Sequence, residues 1–493
     1  MKKRSICFSI LSGIALLCVI GCAGARTVAR SVQKTYSFEL VNQVFSYGQD
    51  TTNVIIDLEE PILDAGSAVD ADTFTVFTTN SITVEGQPVI AYEGPRTVTG
   101  AYVSAGAELT FNQDGAVTVG APITGTEKGR YIVLNLEHGR VKVSEGTVER
   151  NYEDAYEGIP GAGTLLYRDG SNFILDLDYR VTVAKNLQLT DGTVLGVNTA
   201  LLKSTVKPAH EVIAGEINPL VNQFVAGTYK PEFPYDESDY LEYQLYTPND
   251  PENVPLVVWL HGWGEGRSAV GIQNQNLLRA NQEGVAWVIP ASQTVRKAYV
   301  LVPQSPNYGW YVKAPAADFR GYNDAISHVK AVIDKLISDN PGKIDPNRVY
   351  ITGDSMGGFG TWGMLSTYPG FFAAAIMAPG YFDREGENSM APVLTVEQIA
   401  ALKDTPIWVL NTGDDFSKTA ENYQIFKEAD SNIRWTHYTD ASEAHAGTWN
   451  IAHWVWVPTL QNRPATDDQY IKDVYPTDLP GQHILDWLFA QRK

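Results

Sequence analysis

The chain has 493 residues, more than one ordinary hydrophobic core accommodates, so two folded domains are the expectation. Its formal net charge of −20 argues against partners bound through charge, which sets aside nucleic acid and anionic lipid head groups. The three cysteines, Cys7, Cys18 and Cys22, all fall near the N-terminus. The body that follows therefore has no disulfide, no thiol nucleophile and no cysteine metal site.

Residues 1–21 read as a lipoprotein signal peptide. Lys2, Lys3 and Arg4 precede an apolar run from Ile6 to Ile20, too short for a comfortable membrane span. The tail Val19-Ile20-Gly21-Cys22 resembles the bacterial lipobox, in which the cysteine is lipidated. Cys22 is thus the expected lipid attachment point. Residues 22–34, small and polar, are a tether, and the protein is expected to be exported and anchored on the cell envelope.

Residues 35–224 carry a β pattern. Strand-length runs at Tyr131–Leu136 and Phe173–Val181 are punctuated by His138-Gly139, Asp169-Gly170 and Asp191-Gly192. Repeated short strands with such turns predict an all-β, immunoglobulin-like sandwich. No chemical constellation stands out in this half, so its default role is structural or binding. Around Ala226 to Ser238 the texture changes, and Pro231, Pro234 and Asp236-Glu237-Ser238 read as an interdomain connection.

From residue 225 to 493 short apolar strands alternate with helix-length segments, the pattern of an α/β sheet. Leu256–Leu260 and Tyr299–Val302 read as buried strands. Apolar residues from Tyr322 to Ile337 keep helical spacing, so a helix packs one face on the sheet and ends before Pro341.

Ser355 lies in Gly353-Asp354-Ser355-Met356-Gly357. A bare G-x-S-x-G is weak, but Arg348–Thr352 reads as a strand before it and Met356–Tyr368 as a helix after it. That context predicts a nucleophile elbow, with the serine hydroxyl exposed above the sheet. A serine needs a general base, and the base an orienting acid; in α/β-hydrolases the chain order is Ser, Asp or Glu, His. Asp414 and Asp415 lie just past the strand Pro406–Asn411. Eight histidines are available. His437 falls inside a strand. His445, in the loop beyond it with small neighbours Ala444, Ala446 and Gly447, is the preferred base, and His453 is its main competitor. The loop His261-Gly262-Trp263-Gly264-Glu265-Gly266 follows a strand. With the N–H of Met356 it is expected to supply the oxyanion hole, through Trp263 rather than Gly262. Trp310, Tyr311, Trp449, Trp454 and Trp456 could line an acyl or sugar site, although core packing is the commoner fate of such residues.

Three stretches, Ile344 to Ala378, the HGWGEG loop and VLVPQSPNYGW, resemble secreted bacterial esterases related to polyhydroxybutyrate depolymerases and feruloyl esterases. The likeness is strongest to those with an N-terminal immunoglobulin-like domain. It covers roughly Tyr240 to the C-terminus with specific motifs and the first half only architecturally. The resemblance implies an α/β-hydrolase fold and cofactor-free, metal-free hydrolysis of carboxylic esters through Ser355, Asp415 and His445. It places the acid at Asp415, four residues beyond Asn411. Two departures are an extra residue between His445 and Trp449 and an inserted segment at 457–482. The expectation is a serine carboxylesterase acting on small or aromatic acyl esters. The alternatives are a serine peptidase of the same fold and a non-catalytic surface binding protein.

Overall fold

A computed structural model describes residues 35–493 except 113–114, 140–158, 169–170, 208–212, 233, 235–238, 268–273, 307–308, 311–324, 385, 387–389, 414, 416–417, 439–452, 461–472 and 476–482. The signal peptide, the tether, Cys22 and His445 therefore lie outside the described residues, as does most of the 457–482 segment.

The first half is all-β. Ser37–Phe45, Gly48–Asp57, Tyr131–Leu136 and Val98–Ser104 form one antiparallel run, and Asp176–Val183, Phe74–Val84 and Gln87–Arg96 form another. Ala200–Lys203 joins them at one edge, pairing with both Ser37–Phe45 and Asp176–Val183. Strict alternation decides which face is buried: Leu177, Tyr179, Val181 and Val183 point inward while Asp176, Asp178 and Arg180 stay exposed. Those inward residues share a core with Phe38, Leu40, Val54, Ile56, Ile132 and Leu134 of the other run, so two layers close on each other.

The second half is built on a nine-stranded sheet. In spatial order its strands are Phe224–Tyr229, Leu241–Tyr246, Tyr299–Gln304, Val254–Leu260, Ile344–Gly353, Ala374–Met377, Ile407–Thr412, Ile433–Tyr438 and Asp473–Tyr475. The strands from Tyr299–Gln304 to Ile433–Tyr438 run parallel, and antiparallel pairs flank them at both edges. Central strands are apolar on both faces because helices cover both. Leu256, Val258 and Leu260 meet the helices Ala325–Asp339 and Met356–Thr367 on one side. Val257 and Trp259 meet a core shared with Ile484–Ala490 on the other.

One expectation changes. The Pro231–Ser238 stretch is not the interdomain connection. It joins the first two strands of the second sheet, which already begins at Phe224. The two halves pack together, as Tyr36 to Lys493 forms one compact unit. Val44 of the first sheet is buried in the same cluster as Leu277, Val285 and Trp287. At Gly48 (φ +121°) a Cβ would sit 3.1 Å from the Ala280 carbonyl oxygen. A glycine there serves both a left-handed turn and a close approach to the second domain.

Candidate active site

Strand Ile344–Gly353 delivers the chain to Ser355, and helix Met356–Thr367 carries it away. Between them Ser355 holds φ 50° and ψ −115°, a conformation costing a non-glycine residue about 1–3 kcal/mol. The turn closes only because its neighbours lack side chains. A Cβ on Gly357 would fall 1.9 Å from the Leu260 carbonyl oxygen, and one on Gly353 would fall 2.6 Å from that of Gly357. The elbow expected from the sequence is thus present in backbone geometry.

The imidazole beside Ser355 belongs to His453. Its Nε2 lies 2.7 Å from Ser355 Oγ, and its Nδ1 lies 3.0 Å from Asp415 Oδ1. With Nδ1–H donating to the Asp415 carboxylate, Nε2 is left to accept the serine proton. Asp415 is buried and follows strand Ile407–Thr412, its own N–H donating to the Thr412 carbonyl at 3.3 Å. Asp415 is thus the carboxylate beside that imidazole, and Asp414 lies outside the described residues. For the base, the structure corrects the expectation of His445. The place between Ser355 and Asp415 is taken by its competitor, eight residues further on. The reason is mechanical. His453 abuts a buried anchor: Trp454, Val455, Trp456 and Leu460 all sit in the core around the helix Trp456–Leu460, and the Trp456 ring stands edge-on to the imidazole at 5.9 Å. A general base needs a fixed ring. The aromatic flanks of His453 are what fix it, and they are the sequence feature that could have identified it.

His437 is placed as expected, inside strand Ile433–Tyr438 and 3.3 Å from Asn411 Oδ1. Trp310, Trp454 and Trp456 are buried, so they build core rather than a ligand-facing wall, while Tyr311 and Trp449 lie outside the described residues.

The loop after Val254–Leu260 is pinned beside the elbow. His261 is fully buried; its Nδ1–H donates to the Gly262 carbonyl at 2.7 Å, and its Nε2 accepts the Ser305 N–H at 3.0 Å. Both ring nitrogens are committed to a neutral tautomer, and burial drives the pKa down to about 4. The Trp310 indole N–H donates to the His261 carbonyl at 2.9 Å. A Cβ on Gly262 would lie 3.7 Å from Ser355 Cβ and 2.4 Å from Asp354 Oδ2, so the loop runs against the nucleophile. Of the two expected oxyanion donors, Met356 is buried at the start of its helix, and Trp263 is exposed in the loop that follows Leu260. Among the described residues no cluster of three or more His, Cys, Asp or Glu is arranged to hold a metal ion.

Two family models match the chain. Residues 37–196 match the esterase Ig-like N-terminal domain, and residues 239–463 match the putative esterase family. Poly(3-hydroxyalkanoate) depolymerase C of Paucimonas lemoignei is 34% identical over 137 residues, covering 26% of this chain. The match spans only 28% of that depolymerase's own length. A thermostable esterase of known crystal structure is 26% identical, with a TM-score of 0.62, and the alignment covers 93% of this chain and 100% of that one.

Proposed function

We propose that this chain, in which an esterase Ig-like N-terminal domain precedes an esterase-family domain, hydrolyses carboxylic esters through an acyl-enzyme on Ser355. One observation carries the reading: a single imidazole, His453, lies within hydrogen-bond reach of both a serine on a strained elbow and a buried aspartate. Ser355 Oγ attacks the ester carbonyl carbon as its proton passes to His453 Nε2. The oxyanion that forms is stabilised by the N–H groups of Met356 and Trp263. Collapse breaks the bond to the alcohol, which leaves with the proton from His453. Water then attacks the acyl-enzyme with His453 again as base, releasing the acid and restoring Ser355. Asp415 holds the tautomer and stabilises the imidazolium that forms.

The substrates in this reading are small or aromatic acyl esters, with the exposed Trp263 of the same loop available as an aromatic contact. The lipobox-like Val19–Cys22 supports export and a lipid anchor at Cys22.

Asp415→Asn tests the assignment. The amide cannot hold the Nδ1–H tautomer, so kcat for a nitrophenyl ester is expected to fall by on the order of 10⁴ with the circular dichroism spectrum unchanged. Asp414→Asn, assayed beside it, is expected to change kcat less than about tenfold. A reversed ranking would transfer the acid to Asp414.

A further inference from the structure

The Ig-like half reaches the oxyanion loop through one hairpin. Its strands Leu165–Arg168 and Ser171–Ile174 pair with each other, Tyr167 opposite Asn172. Both backbone polar groups of Asn172 hold to the second domain. The N–H donates to the Gly264 carbonyl at 3.1 Å, and the C=O accepts Asn276 Nδ2 at 3.1 Å. Asn276 is buried in the short 3-10 turn Asn274–Leu278, whose Leu277 and Leu278 lie in the core with Val257 and Trp259. The seat of the hairpin is therefore part of the packed interior.

Its base is held as well. The Thr51 N–H donates to the Ala162 carbonyl at 2.8 Å, the Thr164 N–H to that of Gln49 at 2.9 Å, and the Leu175 N–H to that of Thr164 at 2.9 Å. Thr164 Oγ1 donates to Gln49 Oε1 at 2.8 Å, and Gln49 Nε2 to Asn218 Oδ1 at 3.1 Å. Gln49, Thr164 and Asn218 are all buried, and buried polar networks of this kind favour a single geometry.

On the loop, the bond from Asn172 falls between two sets of internal ties. Before the turn, the His261 ring accepts the Ser305 N–H, and the His261 carbonyl accepts the Trp310 indole. After it, the Glu265 carbonyl accepts Gln304 Nε2 at 2.8 Å, and the Arg267 N–H donates to the Ser305 carbonyl at 2.8 Å. Gly264 stands between these ties with a left-handed φ of +95°, and its carbonyl is bonded across to the Ig-like half. It adjoins Trp263, so fixing Gly264 restricts where the Trp263 backbone can point.

We propose that Asn172 is a positioning residue: its backbone N–H, presented by the Ig-like hairpin, holds Gly264 and thereby aims the Trp263 N–H at the developing oxyanion. The inference rests on the ester-hydrolase reading and gives the Ig-like half a part in turnover without contact with substrate. The coupling is reciprocal, so an oxyanion drawn against the loop tightens the bond between Asn172 and Gly264 in turn.

The test compares full-length wild type, Asn172→Pro and Asn172→Ala, with folded fraction followed by circular dichroism. Proline lacks the N–H and alanine keeps it. Turnover is measured with nitrophenyl acetate, and inhibition with trifluoroacetophenone, a ketone whose adduct with Ser355 sets an oxyanion in the same place. Asn172→Pro is expected to lower kcat about tenfold, the scale of one neutral hydrogen bond, with KM within about threefold, and to weaken ketone inhibition by a similar factor. Asn172→Ala is expected to recover both to within about threefold of wild type. A merely structural role would lower the folded fraction and leave kcat per folded molecule unchanged. Asn172→Pro within about twofold of wild type in both measures, or Asn172→Ala as impaired as the proline variant, would overturn the proposal. A second measurement needs only wild type: amide hydrogen exchange of the peptide carrying Asn172 is expected to slow at least ~3-fold when the ketone binds. Unchanged exchange there would overturn the proposal even if the proline protein does not fold. Wild-type protein that neither hydrolyses the ester nor binds the ketone would refute the underlying reading instead.

Discussion

His453→Ala is expected to lower kcat for a nitrophenyl ester by on the order of 10⁵, the scale on which removal of a general base disables a serine hydrolase. In the proposed mechanism the imidazole, 2.7 Å from Ser355 Oγ, accepts its proton and returns it to the leaving alcohol. Without it the hydroxyl attacks only at its weak intrinsic nucleophilicity. Packing is not the cause, because the buried anchor beside it is made by Trp454, Val455 and Trp456, which the substitution leaves in place. His445→Ala, made in parallel, is expected to stay within about threefold of wild type. Steady-state kinetics at equal folded fraction decide between them. A large loss at His445 with little at His453 would restore the assignment that the loop's small residues suggested.

Ser355→Ala is expected to lose as much, again on the order of 10⁵ in kcat, while the fold is kept or stabilised. Ser355 pays a strained φ of 50° for its position, and its half-buried hydroxyl contributes little packing. The double variant Ser355→Ala with His453→Ala should be no worse than either single one, because nucleophile and base act as a unit. A multiplicative loss would mean that His453 serves some other step.

Legibility in the sequence follows how local each cause is. The elbow could be read because its requirements are adjacent in the chain: a strand, glycines at 353 and 357, and a helix entered through small residues. The oxyanion loop could be read for the same reason, as glycines directly after a buried strand. The α/β sheet was legible from its apolar runs and the β half from its alternation, as at Asp176–Val183. The base was not. His453 is held in place by where Trp454 and Trp456 are buried, which the sequence does not show. Small neighbours favour His445 in the sequence, whereas the imidazole beside Ser355 is the one flanked by residues anchored in the core. Glu265 shows the same limit. In sequence it is one more polar residue in a glycine-rich loop. Its backbone is held by residues distant in the chain, Gln304 on its own carbonyl and Asn172 on that of Gly264. For that reason the first half read as a structural or binding module, although it docks against the loop that flanks the nucleophile.

The central claim is that Ser355 is the nucleophile and His453 the group that activates it. The direct measurement is the rate and location of covalent labelling by a fluorophosphonate, which traps an activated serine, followed by peptide mass mapping. The account predicts a single adduct on the peptide containing Ser355, none in Ser355→Ala, and labelling of His453→Ala slowed by at least ~10²-fold with His445→Ala labelled at the wild-type rate. An adduct on another residue, or undiminished labelling of His453→Ala, would contradict it.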